Sequence, residues 1–153
     1  MNFQLREYRS TDLTELTQLF YQTVHQVNCR DYSVDQLNAW ADGQLDLPAW
    51  NASFLDHETI VAVNLTGQLV GFGDLAATGY LDRLYVHAAY QHQGIATTIC
   101  DRLEHDYSGP AITTAASITA RPFFQQRGYQ IQRQQQVIRH GVALTNFVMV
   151  KYF

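Results

Sequence analysis

Between Leu84 and Thr97 the chain reads Leu-Tyr-Val-His-Ala-Ala-Tyr-Gln-His-Gln-Gly-Ile-Ala-Thr, and its hydrophobic period changes on the way. Up to Val86 the residues are those of a strand. From Ile95 the apolar positions Ile95, Ile99 and Leu103 return every fourth residue, as on one face of a helix. A strand feeding a helix through so short a loop commits the chain to mixed α/β architecture. Gly94 and Ala96 fall in the first turn of that helix. Such a turn has N–H groups without intrahelical partners and a partial positive charge, so it can receive an anion with no lysine present. Small side chains let a ligand come close to it. They would equally relieve crowding of the helix against a sheet, and the spacing alone does not separate these two readings.

The remaining segments supply partners for this unit. Phe3 and Leu5 alternate as in a short strand. Ser10 or Asp12 can cap a helix with Leu13, Leu16, Phe20, Val24 and Val27 on one face. Ser33-x-x-Gln36 is a capping box for a second helix that carries Leu37 and Trp40. Residues 42–58 contain Gly43, Pro48 and Trp50 and read as a loop or an irregular helix. Strands are predicted over 59–65, 69–75 and 80–86, the first two joined at Thr66-Gly67. Ser108-Gly109-Pro110 ends the helix that starts at Ile95, and Ala111 to Ala115 is a short strand. Thr119 can cap a helix holding Phe123 and Phe124, with Gly128 as its stop. Residues 129–138 and 142–151 form two further strands around His140-Gly141. The order is strand, two helices, three strands, helix, strand, helix, two strands. It predicts one domain over residues 1–153, with helices on both faces of a mixed sheet that is parallel at its middle.

Composition narrows the partners. Hydrophobic residues are 46% and charged residues 16% of the chain, which excludes disorder and a long coiled coil. The net charge is −4, and Lys151 is the single lysine among ten cationic side chains. Neither nucleic acid nor an anionic membrane surface is expected as a partner, because both draw on a basic surplus. The N-terminus has no basic and then apolar leader, and no apolar run reaches membrane-spanning length, so a cytoplasmic location is expected. Cys29 and Cys100 read as reduced thiols packed as small hydrophobes. The six histidines form no HxH or HExxH pattern, and no metal site is expected.

Three segments share a family resemblance. Gln91-x-x-Gly94-x-Ala96 after a strand ending Leu-Tyr-Val resembles the acetyl-CoA loop of the GNAT superfamily of N-acetyltransferases. Ala116-Ser-Ile-Thr-Ala-Arg-Pro-Phe-Phe-Gln-Gln-Arg-Gly-Tyr129 looks like that family's stretch from the fifth strand through the fourth helix. Thr145-Asn-Phe-Val-Met-Val-Lys151 is similar to its last strand. The resemblance runs over nearly the whole chain. It implies a mostly antiparallel sheet in which the fourth and fifth strands pair in parallel and then part. It also implies acetyl-CoA as cosubstrate, with its pyrophosphate on the N–H groups of His92, Gln93, Gly94, Ile95, Ala96 and Thr97. Gln91 and Gln93 would add bonds there. The pantetheine arm would lie along Leu84, Tyr85 and Val86, with the Val86 N–H polarising the thioester carbonyl. Ser117 stands where the family often has an Asn on pantetheine, and Phe123 and Phe124 would pack beside the cofactor. Arg102, Arg121 and Arg127 are candidates for the ribose phosphate.

The departures bear on chemistry. Phe124 occupies the position of the family's common tyrosine acid. The leaving thiolate must then take a proton from water, take one from Tyr80, Tyr85 or Tyr107, or leave unprotonated. An attacking ammonium needs a base. Strict alternation along 80–86 sets Tyr80, Asp82, Leu84 and Val86 on one face, so Asp82 is the first candidate base, with His87 and Asp74 behind it. Asp82 could equally pair with Arg83. Trp40 reads as a core residue from its helical spacing, and Trp50 is either core or pocket. The resemblance thus implies transfer of acetyl to a primary amine by direct attack, with a small molecule as the first candidate acceptor and a peptide or protein amine as the alternative. A CoA-holding module without catalysis is the alternative that Phe124 keeps open, and a homodimer is compatible with either.

Overall fold

The computed structural model describes residues 2–153, and among them no helix is long and apolar enough to cross a membrane. In chain order the elements are β1 (Phe3–Glu7), α1 (Leu13–Gln26), α2 (Val34–Trp40), α3 (Leu47–Asp56), β2 (Glu58–Asn64), β3 (Leu69–Leu75), β4 (Tyr80–Val86), α4 (Ile95–Asp106), β5 (Ala111–Ser117), α5 (Arg121–Gln126), β6 (Gln130–Arg139) and β7 (Val142–Tyr152). They form one seven-stranded sheet in the order β1-β2-β3-β4-β5-β7-β6. Only β4 and β5 pair in parallel. The mixed sheet and its helices on both faces are as expected from the sequence.

Two apolar clusters cover the sheet. One, under α4 and α5, contains Ile95, Ile99, Leu103, Phe124 and Met149. The other, under α1, α2 and α3, contains Leu16, Phe20, Leu37, Phe54 and Phe72. Each aliphatic side chain fully buried here favours folding by roughly 1.5–3 kcal/mol before entropy is counted. β3 lies between the clusters and is buried at every residue, so it reads as a continuous apolar run. Gly71 and Gly73 let α4 settle onto it, since a Cβ there would stand 2.8 Å from Ile95 Cγ2 and 2.9 Å from Ile99 Cγ2 respectively.

Local chemistry explains most element ends. In the Ser33–Gln36 capping box, Gln36 N–H donates to Ser33 Oγ at 3.2 Å and Ser33 N–H to Gln36 Oε1 at 2.9 Å. His140 (φ 48°) and Gly141 (φ 77°) turn β6 into β7. Three helices, not two, precede β2: Asp46 caps α3 by accepting from Ala49 N–H at 3.1 Å, and Pro48 sits in its first turn, where no N–H is missed. The proline that suggested a loop therefore starts a helix. Ser10–Asp12 is a 3₁₀ turn, and Asp12 serves Arg9 N–H and Arg6 instead of capping α1 with its side chain. Thr119 does not cap α5; its hydroxyl donates to Asp31, and Ser117 Oγ accepts from Ala120 N–H at 3.0 Å. Cys100 is buried as expected, with its thiol pushed up to about 12 by desolvation, but Cys29 is exposed.

Candidate active site

β4 and β5 run together only at Tyr80–Thr113 and Leu81–Thr114, and then separate. β5 stays with β7 to Ser117, while β4 stays with β3 to Val86, so a V-shaped gap opens between them. The cause is local. The β3–β4 register shifts between Asp74 and Leu75, whose partners are Arg83 and Leu81, which makes Asp82 the extra residue of a β-bulge. The bulge corrects the expectation that Asp82, Leu84 and Val86 share a face. Leu84 and Val86 pack on the α4 side, whereas Arg83 and Tyr85 turn to the α1–α3 side. Asp82 points with Arg83, whose Nη2 lies 3.3 Å from Asp82 Oδ2. His87 N–H bonds back to Val70 O at 2.9 Å, so by alternation the N–H groups of Leu84 and Val86 face the gap.

A cleft of about 900 Å³ fills this gap and runs to the start of α4. Of the cofactor-binding residues expected from the sequence, all but Gln93 and the arginines Arg102 and Arg127 line it. His92 (φ 60°) and Gly94 (φ 83°) both take the left-handed conformation as the loop turns into α4. No side chain caps the α4 N-terminus, and nothing lies within 4 Å of where a Gly94 Cβ would stand. The first-turn N–H groups are therefore open to the cleft. The two glutamine side chains are engaged within the loop, which leaves their backbone groups for the expected bonds. Gln91 Nε2 donates to Val86 O at 2.6 Å and Gln93 Nε2 to Ala89 O at 3.5 Å, so both side chains fasten the loop. Phe124 is buried against Phe123 and Tyr129. Arg127 is engaged by Asp101 and Glu104, and Arg102 by Asp106, and neither lines the cleft. Arg121 lines the cleft instead, with its guanidinium over Phe147 and a buried Nε that has no partner among the described residues.

On the other face of the gap lies a second cavity of about 320 Å³, walled by Phe20, Tyr32, Trp40, Trp50, Tyr80 and Tyr85. It shares Trp40, Asp82, Arg83, Tyr85, Ala115 and Ser117 with the cleft. Tyr32 ties its rim: the hydroxyl donates to Thr145 O at 2.6 Å and accepts from Ile118 N–H at 2.9 Å. Asn146 Oδ1, on the same wall, is buried without a partner among the described residues. The surrounding rings desolvate the Tyr85 phenol and push its pKa up. His87 borders neither cavity; its Nδ1 accepts from Ala89 N–H at 3.0 Å. Tyr107 borders neither as well.

Arg83 anchors a charge network beside this junction. Its Nη1 lies 2.7 Å from Asp74 Oδ2, and its guanidinium stacks 4.5 Å from the Trp50 centroid and 4.6 Å from that of Phe54. His57 Nδ1 lies 2.8 Å from the same Asp74 oxygen. Asp74 has no exposed surface: burial pushes its carboxyl up, and His57 and Arg83 pull it back. The hydrogen bond to Asp74 raises His57. One ligand atom each of His57, Asp74 and Asp82 lies within 4.8 Å of the others. Arg83 already supplies the positive charge that this acidic pair requires, so the cluster fits an ion-pair network better than a metal. Sequence reading foresaw the Asp82–Arg83 pair but missed His57, Asn146 and the contact of Arg83 with Asp74. A usable signal existed for the network: an aspartate inside the apolar run Leu69–Leu75 has to be paired once buried.

The comparisons agree with this geometry. Residues 28–151 match the family model of the acetyltransferase (GNAT) domain. An uncharacterised N-acetyltransferase of Escherichia coli K12, YafP, is 34% identical over 148 residues, which is 97% of this chain and 95% of that protein. Among solved structures, a GCN5-related N-acetyltransferase from Rhodopseudomonas palustris superposes with a TM-score of 0.93 at 31% identity, covering 100% of this chain and 97% of that one. The PaiA N-acetyltransferase of Thermoplasma acidophilum, solved with coenzyme A, has the same fold at a TM-score of 0.79 and 16% identity, with full coverage of both chains. The family model and the 34% identical relative make this fold that of an acetyltransferase. The chain belongs to the GNAT family of N-acetyltransferases.

Proposed function

We propose that this protein, as a single domain, transfers acetyl from acetyl-CoA to the primary amine of a small molecule by direct attack. One observation carries the reading: the cleft and the second cavity meet at Asp82, Arg83, Tyr85 and Ser117, where the strands part. The cleft suits the cosubstrate on its own features, namely the open first turn of α4, the empty space at Gly94 and the unpartnered Arg121 Nε. Acetyl-CoA, when bound, supplies an acetyl group activated as a thioester. The amides of Gly94 to Thr97 would hold the pyrophosphate, and Arg121 would serve the ribose phosphate. The N–H groups of Leu84 and Val86 would grip the arm and the carbonyl, and Gln91, bonded to the Val86 carbonyl on the same strand edge, would fix that end of β4. That cosubstrate also accompanies the fold in a relative: YncA of Salmonella typhimurium was solved with acetyl-CoA, at a TM-score of 0.73.

The second cavity would receive the acceptor. Its small volume favours a compact molecule over a protein segment. Aromatic rings and the Asp82 carboxylate suit an ammonium, although Arg83 and Arg139 also line this cavity. Asp82 would take the proton, and Tyr85, the phenol common to both cavities, could protonate the thiolate in place of Phe124. Phe124 also favours a second reading, a module that holds CoA without catalysis. Thermal unfolding with acetyl-CoA, followed by thiol release against an amine panel, decides between them. At a hundred times Kd the cosubstrate should stabilise the fold by about 2.7 kcal/mol, and at least one amine should release CoA. Stabilisation with no turnover would leave the module; no stabilisation would remove both.

A further inference from the structure

We propose that the acceptor is an amino acid with an apolar side chain, and that Arg139 holds its carboxylate. The inference rests on the acetyl-transfer reading above and narrows its acceptor. The charged side chains on the wall of the second cavity are Asp82, Arg83 and Arg139. Arg83 is fully engaged: Nη1 lies 2.7 Å from Asp74 Oδ2, and Nη2 lies 3.3 Å from Asp82 Oδ2 and 3.1 Å from Ser53 Oγ. Arg139 pairs with no carboxylate among the described residues. Its Nη1 donates to the Ile138 carbonyl at 3.4 Å, and Asp42 pairs with the neighbouring His140 instead. Asp82 and Arg83 offset each other on the wall, and the Asp74 charge behind them is met by Arg83 and His57. Arg139 is left as the cation without a counter-charge. An ammonium alone would bring a second like charge into a small space walled by aromatic rings. A zwitterion brings no net charge, and its carboxylate matches the paired N–H donors of a guanidinium.

The cavity also has a direction. Asp82 and Arg83 stand at its junction with the cleft, whereas Arg139 lines the second cavity alone. Val137 and Arg139 reach that wall from alternate positions of β6, just before the His140–Gly141 turn. Tyr80, on the same wall, is in reach of both charges: burial pushes its phenol up, Asp82 adds to the rise and Arg139 opposes it. Phe20, Tyr32 and Trp50 line this cavity and not the cleft, so the apolar seat lies away from the cosubstrate. A volume of about 320 Å³ is at the small end for a ligand site and suits a single amino acid. Its ammonium would point to Asp82 and the thioester, its carboxylate to Arg139, and its side chain would lie among the rings. The step itself is unchanged. The nitrogen–acetyl bond forms as the carbon–sulfur bond breaks. Of the two protons that the ammonium gives up, one ends on the CoA thiol and one in solvent.

Thiol release from acetyl-CoA by the full chain tests this, with acceptors paired so that the carboxylate is what differs: L-phenylalanine against phenethylamine, and L-leucine against isoamylamine. The wild type should favour at least one amino acid over its decarboxylated counterpart by about tenfold or more in kcat/KM. Arg139→Gln should reduce that preference about tenfold, through KM for the amino acid, and Arg139→Lys should keep most of it. Arg139 is exposed and bonds only a main-chain carbonyl, so the fold should tolerate the change. Should Arg139→Gln fold poorly, ionic strength gives the same reading on the wild type. Added salt should raise KM for the amino acid severalfold more than KM for its counterpart, and an equal rise opposes the proposal. Preference for the decarboxylated amines, turnover of neutral amines with no amino acid turned over, or a preference that ignores Arg139→Gln overturns the proposal alone. A wild-type protein that turns over no amine overturns the acetyl-transfer reading and the proposal with it.

Discussion

The two cavities that meet at the parted strands are made from different parts of the chain. The cleft presents main-chain groups: the first turn of α4 and the free edges of Leu84 and Val86, exposed because the neighbouring side chains are small or turned away. The second cavity presents side chains: six aromatic rings and an ion-pair network, drawn from positions between Phe20 and Asn146. A site made of backbone can serve one conserved chemical group, such as a pyrophosphate, with whatever residues permit the conformation. A site made of side chains can be retuned residue by residue without disturbing the first. The sheet bulge at Asp82 lets one strand supply both, since it turns the bulk of Arg83 and Tyr85 one way and leaves the N–H edge facing the other.

The contrast is broken most severely at Gly94. Gly94→Val forces a β-branched residue to φ 83° and fills the space before the first-turn N–H groups. We expect acetyl-CoA affinity to fall at least a hundredfold by isothermal titration, against only about 1–2 kcal/mol of lost folding stability. Affinity within a few fold of wild type would mean that the α4 start does not hold the cofactor. A smaller and opposite effect is expected at Trp50. Trp50→Ala removes one ring from the second cavity and one of the two stacked on Arg83. The KM for the acceptor amine should rise about tenfold, from roughly 1.4 kcal/mol of lost contact, while acetyl-CoA affinity stays put. Equal damage to both substrates would dissolve the division between the cavities.

The same division governs what could be read from the sequence. The uncapped first turn of α4 was legible because it is local: a period change, with Gly94 and Ala96 within a few residues. The order of elements along the chain and parallel pairing at the middle of the sheet were legible for a similar reason, since connections through helices constrain them. The face of Asp82 was not, because one bulge residue inverts the alternation on which that reading stood. Gln91 matched a motif, but its side chain found a carbonyl 2.6 Å away on its own strand–loop corner, a competition that residue type does not reveal. α3 was obscured by Pro48, which is a helix breaker inside a helix and a helix starter in its first turn. The Asp74–His57–Arg83 network spans three elements and became visible only when folding brought them together.

The central claim is that the thioester carbonyl lies at the Val86 N–H, with the acceptor approaching from the second cavity. Amide ¹H–¹⁵N spectra with saturating acetyl-CoA and, separately, with CoA address it most directly. Leu84 and the first turn of α4 should move with both ligands, and Val86 should move further downfield with acetyl-CoA than with CoA, because only the acetylated form brings a carbonyl to that N–H. Identical Val86 positions in the two complexes, or a Val86 signal that neither ligand moves, would contradict the claim.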